Sequence, residues 1–140
     1  MSTARWEHFP HDADMGIRGY GASIDEAFAQ TALALIAVIT DPATIEPHTP
    51  VDVKVMASDQ ELLLVDWLNA LVYEMATRKW LFSRFDVRIE GKTLEARAWG
   101  ERVDVARHKP AVEVKGATYT ELRVARLDDG SWLAQCVVDV

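Results

Sequence analysis

The sequence has a single cysteine, Cys136, so no disulfide can close within the chain and nothing in it requires an oxidising compartment. It also lacks any apolar stretch near the roughly 20 residues that span a bilayer; the longest runs only from Ala32 to Ile39. The opening Met1-Ser2-Thr3-Ala4-Arg5-Trp6-Glu7 has no apolar core of the kind a secretory signal needs. These absences make the cytoplasm the expected compartment, with no membrane partner. Basic residues are in deficit, with 15 Lys and Arg against 22 Asp and Glu for a net charge of −7. A phosphate backbone rewards clustered cations, so nonspecific nucleic-acid binding is disfavoured and any contact with RNA is expected to be mainly indirect. Basic residues do recur from Arg102 to Lys109, where Arg107-His108-Lys109 precedes Pro110; a solvated loop accounts for them. No repeat, low-complexity tract or linker interrupts the chain.

What is present suits one ordinary globular unit. The chain has 140 residues, 49% hydrophobic and 26% charged, enough for one core, so a single domain over 1–140 is expected. Ser23-Ile24-Asp25-Glu26 is a capping box in which the Ser hydroxyl and the Glu carboxylate satisfy orphan amides. Behind it Ile24, Phe28, Thr31, Leu35 and Val38 share a helical face, and the helix should stop near Thr40-Asp41 because Pro42 follows. Ser58-Asp59-Gln60-Glu61 repeats the signature, and the stripe Leu64, Leu68, Leu71, Met75 predicts a second long helix over 59–77.

Alternation marks the strands: Val51 to Val55, then Phe85 to Ile89, which Gly91 turns into Thr93 to Trp99. A further strand is expected from Thr118 to Leu127, turning at Asp128-Asp129-Gly130 into Trp132 to Val138. That last strand is apolar on both faces, so it should be central. Two capped helices among six or more strands give an α+β domain, a mixed or mostly antiparallel sheet packed against two long helices. Cys136 is expected to be a buried, inert thiol.

Three acids sit where elements are expected to end: Asp14 before a Met15-Gly16 turn, Asp41 after the first helix, and Asp139 at the end of the last strand beside Val140. A hard cation needs several oxygen ligands, and these carboxylates with a terminal one could supply them. Acids at element ends are common as caps and turn formers, so spacing alone is a weak signal for a metal, and Asp41 before its proline reads first as an ordinary helix end. His11 reads as a turn residue.

The chain resembles the archease family at four places along its length. They are His11-Asp12-Ala13-Asp14-Met15-Gly16 with Gly19-Tyr20-Gly21 and the helix ending in Thr40-Asp41; Glu61-Leu62-Leu63-Leu64-Val65-Asp66-Trp67-Leu68-Asn69; Gly100-Glu101 with Glu113-Val114-Lys115-Gly116-Ala117-Thr118-Tyr119; and the ending Val138-Asp139-Val140. The resemblance implies an accessory protein, not itself an enzyme, that assists the GTP-dependent tRNA-splicing RNA ligase joining 3′-phosphate or cyclic-phosphate ends to 5′-hydroxyls. It would promote guanylylation of the ligase histidine, giving multiple turnover and broader nucleotide use; GTP is consumed by the partner. The resemblance further implies Asp14, Asp41, Asp139 and the Val140 carboxylate as ligands of a divalent metal, calcium first with magnesium or manganese as alternatives, and Lys115 as an auxiliary catalytic cation. The chain departs from the family pattern at Asp12, where Thr is customary, at Gly116, where Ala is typical, and at Thr120, where His is frequent. Asp12 is expected to shape the turn.

Two other readings compete. A stand-alone metal-dependent phosphohydrolase would need a base and a pocket beside the acids, yet no motif links His8, His11, His48 or His108 to them. A general protein-binding chaperone would use exposed aromatics instead.

Overall fold

A computed structural model describes residues 3–140. The chain runs β1 (Arg5–His11), β2 (Asp14–Gly21), α1 (Ile24–Ile39), a 3₁₀ turn (Pro42–Thr44), β3 (Thr49–Met56), α2 (Gln60–Arg78), β4 (Trp80–Glu90), β5 (Thr93–Arg102), α3 (Val105–His108), β6 (Gly116–Ala117), β7 (Arg123–Arg126) and β8 (Trp132–Asp139). Both long helices start at caps. The Ser23 hydroxyl accepts from the Glu26 amide, and the Glu26 carboxylate reaches back to accept from the Ala22 amide, one residue before the cap amide of a strict capping box. The second helix is capped by Asp59, which accepts from Leu62, one residue later than Ser58 would cap it. It ends at Lys79 in the left-handed conformation, φ 58°.

Two antiparallel sheets form rather than one. In the first, β1, β2 and β8 lie side by side, and β6 and β7 share the far edge of β8; the second has the order β3-β5-β4. Both α1 and α2 contact strands of both sheets, so the helices form a layer between them. This is why the single apolar stripe expected for α1 understates its burial: Ala27, Phe28, Ala32, Ala34, Leu35 and Ile36 are all completely buried, as befits a helix covered on two sides. Thr31 is tolerated there because its hydroxyl donates to Ala27 O at 2.7 Å and lies 3.1 Å from Ala134 O of β8. Trp67 fills the α1–α2 junction, its indole N–H donating to Phe28 O at 3.2 Å.

Glycine permits the tight seating of α1. A Cβ on Gly19 would come within 2.4 Å of the Thr31 amide nitrogen and 2.5 Å of Ala27 O. Those are backbone atoms of the helix, so it rests directly on β2. The central position of β8 is as expected, with Leu133 to Val138 all buried.

Three local expectations fail for identifiable reasons. Met15-Gly16 is not a turn but part of β2; the reversal is at Asp12-Ala13, with Asp12 at φ 52° and His11 paired with Asp14 across it. Of the strand expected over 118–127 only β7 (Arg123–Arg126) forms, with β6 (Gly116–Ala117) lying just before the expected start. Between them the Thr118 hydroxyl takes the Thr120 amide, and Glu121 adopts φ 54°, so local side-chain bonding outcompetes the ladder. Residues 102–109 are not a plain solvated loop: Asp104 caps the short helix α3, and His108 at its end is 2% exposed.

Candidate functional site

Strand register carries two of the candidate acids together. Met15 pairs with Val138, so one step further Asp14 of β2 stands opposite Asp139 of β8. His11 completes the row on β1, and Gly116 of β6 faces Asp139 from the other side. Strand alternation puts this row on the sheet face turned away from α1, since Ile17 and Cys136, of opposite parity, are completely buried beneath the helix. Asp139 is exposed and Asp14 half-buried. The Lys115 amide donates to Asp139 O at 2.8 Å, which places Lys115, itself exposed, at the tip of the same row.

Asp41 follows the end of α1, on the helix side of the sheet and away from the face that carries Asp14 and Asp139. The His8 ring is bonded to Ala34 O at 2.8 Å, and His8 pairs with Ile17. Asp41 Oδ1 caps the 3₁₀ turn by accepting from Ala43 at 2.9 Å, which is its ordinary structural duty. The fold thus sets Asp14 and Asp139 side by side through strand register and leaves Asp41 at the end of α1, on the helix side of the sheet. Among the described residues no three acids, histidines or cysteines are gathered closely enough to hold a metal as they stand. In donor type the set fits a hard divalent cation, being carboxylate and carbonyl oxygen throughout. Val140 lies just past the row and is 38% exposed.

A polar network missed in the sequence fastens the Asp41 segment. His108 Nδ1 accepts from the Asp104 amide at 2.9 Å, leaving the ring proton on Nε2, which donates to Glu101 Oε2 at 3.0 Å. Glu101 also accepts from the Glu46 amide at 2.7 Å and from Arg107 Nη2 at 2.7 Å. The Thr40 hydroxyl donates to His108 O, and the Ala111 amide donates to Ile39 O at 2.8 Å. Desolvation works to raise the Glu101 pKa, but the Glu46 amide, His108 and Arg107 outweigh it and hold the carboxyl at about 2. The only sequence signal for this network was a histidine and two cations just before Pro110, which suits a solvated loop equally well.

The folded state therefore grips the Glu101 carboxylate more tightly than the unfolded chain does. Its stabilisation is complete above the ordinary value of 4.5 and is lost as pH falls toward about 2. The Glu101→Gln variant should melt several degrees below the parent at pH 7, and the gap should narrow on acidification to about pH 3, as followed by circular dichroism. A gap that stays constant with pH would rule out this role for the charge.

Asn69 is the second residue whose part was not legible. Its Oδ1 accepts from the Ala117 amide at 2.8 Å, so α2 pins β6 beside β8 and thereby sets Lys115. A Cβ on Gly116 would sit 3.2 Å from that oxygen, so alanine fits here only if Asn69 gives slightly. Cys136 is inert as expected, completely buried, with burial pushing its thiol up to about 12.

Comparison with known proteins agrees with this architecture. Residues 6–140 match the Archease protein family (MTH1598/TM1083). The chain is similar to protein archease of Pyrococcus furiosus, 42% identical over 140 residues that cover 97% of this chain and 99% of that one. It is likewise similar to protein archease of Sulfurisphaera tokodaii, 40% identical over 122 residues covering 86% and 88%. Its fold matches the solution structure of protein 1598 from Methanobacterium thermoautotrophicum with a TM-score of 0.84 at 32% identity, covering 96% of this chain and 98% of that one. The crystal structure of an archease from Thermotoga maritima, described as a possible chaperone, shares the fold at a TM-score of 0.62 and 19% identity, with 96% of each chain covered. The chain belongs to the archease family.

Proposed function

We propose that this chain is a non-catalytic accessory protein of a GTP-dependent tRNA-splicing RNA ligase, working in the cytoplasm. It promotes guanylylation of the ligase histidine and so allows repeated joining of 3′-phosphate or cyclic-phosphate ends to 5′-hydroxyls. The observation that carries the reading is the cross-strand placement of Asp14 beside Asp139, with the Lys115 amide bonded to the Asp139 carbonyl. With Asp41 and the Val140 carboxylate, these acids would hold a divalent cation, calcium by preference and magnesium or manganese as chemically similar occupants. When bound, such a cation supplies positive charge where nucleotide phosphates develop negative charge.

The chain's own residues have separate tasks in this reading. Asp14 and Asp139 offer oxygen donors from a rigid sheet, Asp41 offers one from the end of a buried helix, and Lys115 places a mobile point charge beside them. Because the chain carries a net charge of −7, RNA is engaged through the ligase. Two of the four histidines are otherwise engaged, His108 in the Glu101 network and His8 on α1, while His11 stands across from Asp14, so the phosphohydrolase reading is left to the activity test.

Reconstitution tests the proposal. The purified ligase with GTP and excess RNA should join about one equivalent alone and many equivalents when the chain is added. An unchanged number of turnovers would reject the accessory role, and nucleotide cleavage by the chain alone would favour the enzyme.

A further inference from the structure

The outer face of the β3-β5-β4 sheet carries twelve positions in four rows of three, fixed by register. The rows are Pro50, Trp99 and Arg84; Asp52, Arg97 and Asp86; Lys54, Glu95 and Arg88; and Met56, Thr93 and Glu90. The two middle rows are opposite in sign at every column. Within one chain the central residues already bridge their neighbours, Arg97 to Asp52 at 2.9 Å and Lys54 to Glu95 at 3.6 Å. All four side chains remain more than half exposed, so each keeps hydrogen-bonding capacity toward solvent. Arg84 lies over the Trp99 ring at 4.5 Å, and Met56 is 67% exposed.

Symmetry decides what this pattern fits. Consider two copies face to face about a twofold axis lying across the strands between the middle rows. Asp52 then meets the second copy's Lys54, Arg97 meets Glu95, and Asp86 meets Arg88. In the outer rows Arg84 meets Glu90, Trp99 meets Thr93, and Pro50 meets Met56. Every charged contact is attractive, and the neutral ones, Trp99 on Thr93 and Pro50 on Met56, set no like charges together. A twofold axis along β5 instead sets Asp52 on Asp86, Lys54 on Arg88, Arg97 on Arg97 and Glu95 on Glu95, all repulsive. An isologous contact must be self-complementary, and this face satisfies that for one axis and forbids the other.

We infer that this face is a self-association surface whose occupant is a second copy of the chain, docked sheet to sheet about the axis across the strands. The patch spans about 14 by 27 Å, or about 400 Å² per copy, half of what a stable interface buries on each side, about 800 Å². The dimer is therefore weak and strongly dependent on ionic strength. The inference is independent of the metal site, which lies in the other sheet.

The test is sedimentation of the full chain at concentrations up to about 1 mM, in about 20 mM and about 500 mM salt. Self-association to a dimer is expected at low salt and its loss at high salt. Arg84→Glu places like charges at two symmetry-related contacts and should weaken the dimer about tenfold. Adding Glu90→Arg restores opposite charges without restoring the Arg84–Trp99 contact, and should recover the parent affinity to within about threefold. Circular dichroism melts establish that each variant is folded. A monomer at every concentration in low salt, an Arg84→Glu chain that dimerises like the parent, or a double variant as weak as the single would each overturn the inference and leave the face as a solvated charge ladder.

Discussion

Exchanging Asp139 for Asn is expected to leave the fold intact and to reduce stimulation of ligase guanylylation by at least about tenfold, the scale on which loss of a metal-supporting group acts. The side chain is exposed, and its backbone carbonyl, not its carboxylate, holds the Lys115 amide. Melting should therefore shift by no more than about 2 °C, as for surface substitutions that break no network. Asn keeps the size and one oxygen but removes the charge, so the two effects separate cleanly. Asp14→Asn should behave alike, because the residue sits in the same cross-strand row. Full stimulation by a folded Asp139→Asn chain would sink the metal-presenting role, though not family membership.

The largest structural effect is expected at Gly19. Its missing side chain lets α1 rest on β2, and an added methyl would press within 2.4 Å of helix backbone that has no flexible end to yield. Gly19→Ala should cost about 3 kcal/mol, at the upper end of overpacking penalties, and lower the melting temperature by about 10 °C for a chain of this size. Gly116→Ala is the matched control. There the nearest atom is the Asn69 side-chain oxygen at 3.2 Å, which can rotate, so a change within about 1 kcal/mol is expected. Equal melting of the two variants would contradict the account of how α1 is seated.

The helices and the last hairpin were legible because their signals are local. Ser23 and Glu26 reach across one turn, and Asp129-Gly130 needs no distant partner; there Asp129 accepts from both the Ser131 amide and hydroxyl. The first hairpin was not legible, since its turn depends on Asp12 in the left-handed conformation without a glycine. Nor could alternation say which sheet a strand joins. It shows that Val51 and Val53 face inward, but the separation into two sheets follows from helices that are apolar on two sides, and the stripe of α1 was read as one-sided. The site divides in the same way. Spacing could name acids at element ends, but Asp14 and Asp139 are 125 residues apart in the chain and meet only through the register of β2 on β8. The Glu101–His108 network was illegible because its members come from β5, α3 and the segment after α1, and no one of them carries a motif.

Titration calorimetry of calcium into the metal-free chain, beside its Asp139→Asn variant, addresses the acids most directly. Saturable uptake of one ion per chain, weakened at least about tenfold in the variant, is the expected outcome. Absence of uptake by calcium, magnesium and manganese alike, or equal affinity in both proteins, would contradict it.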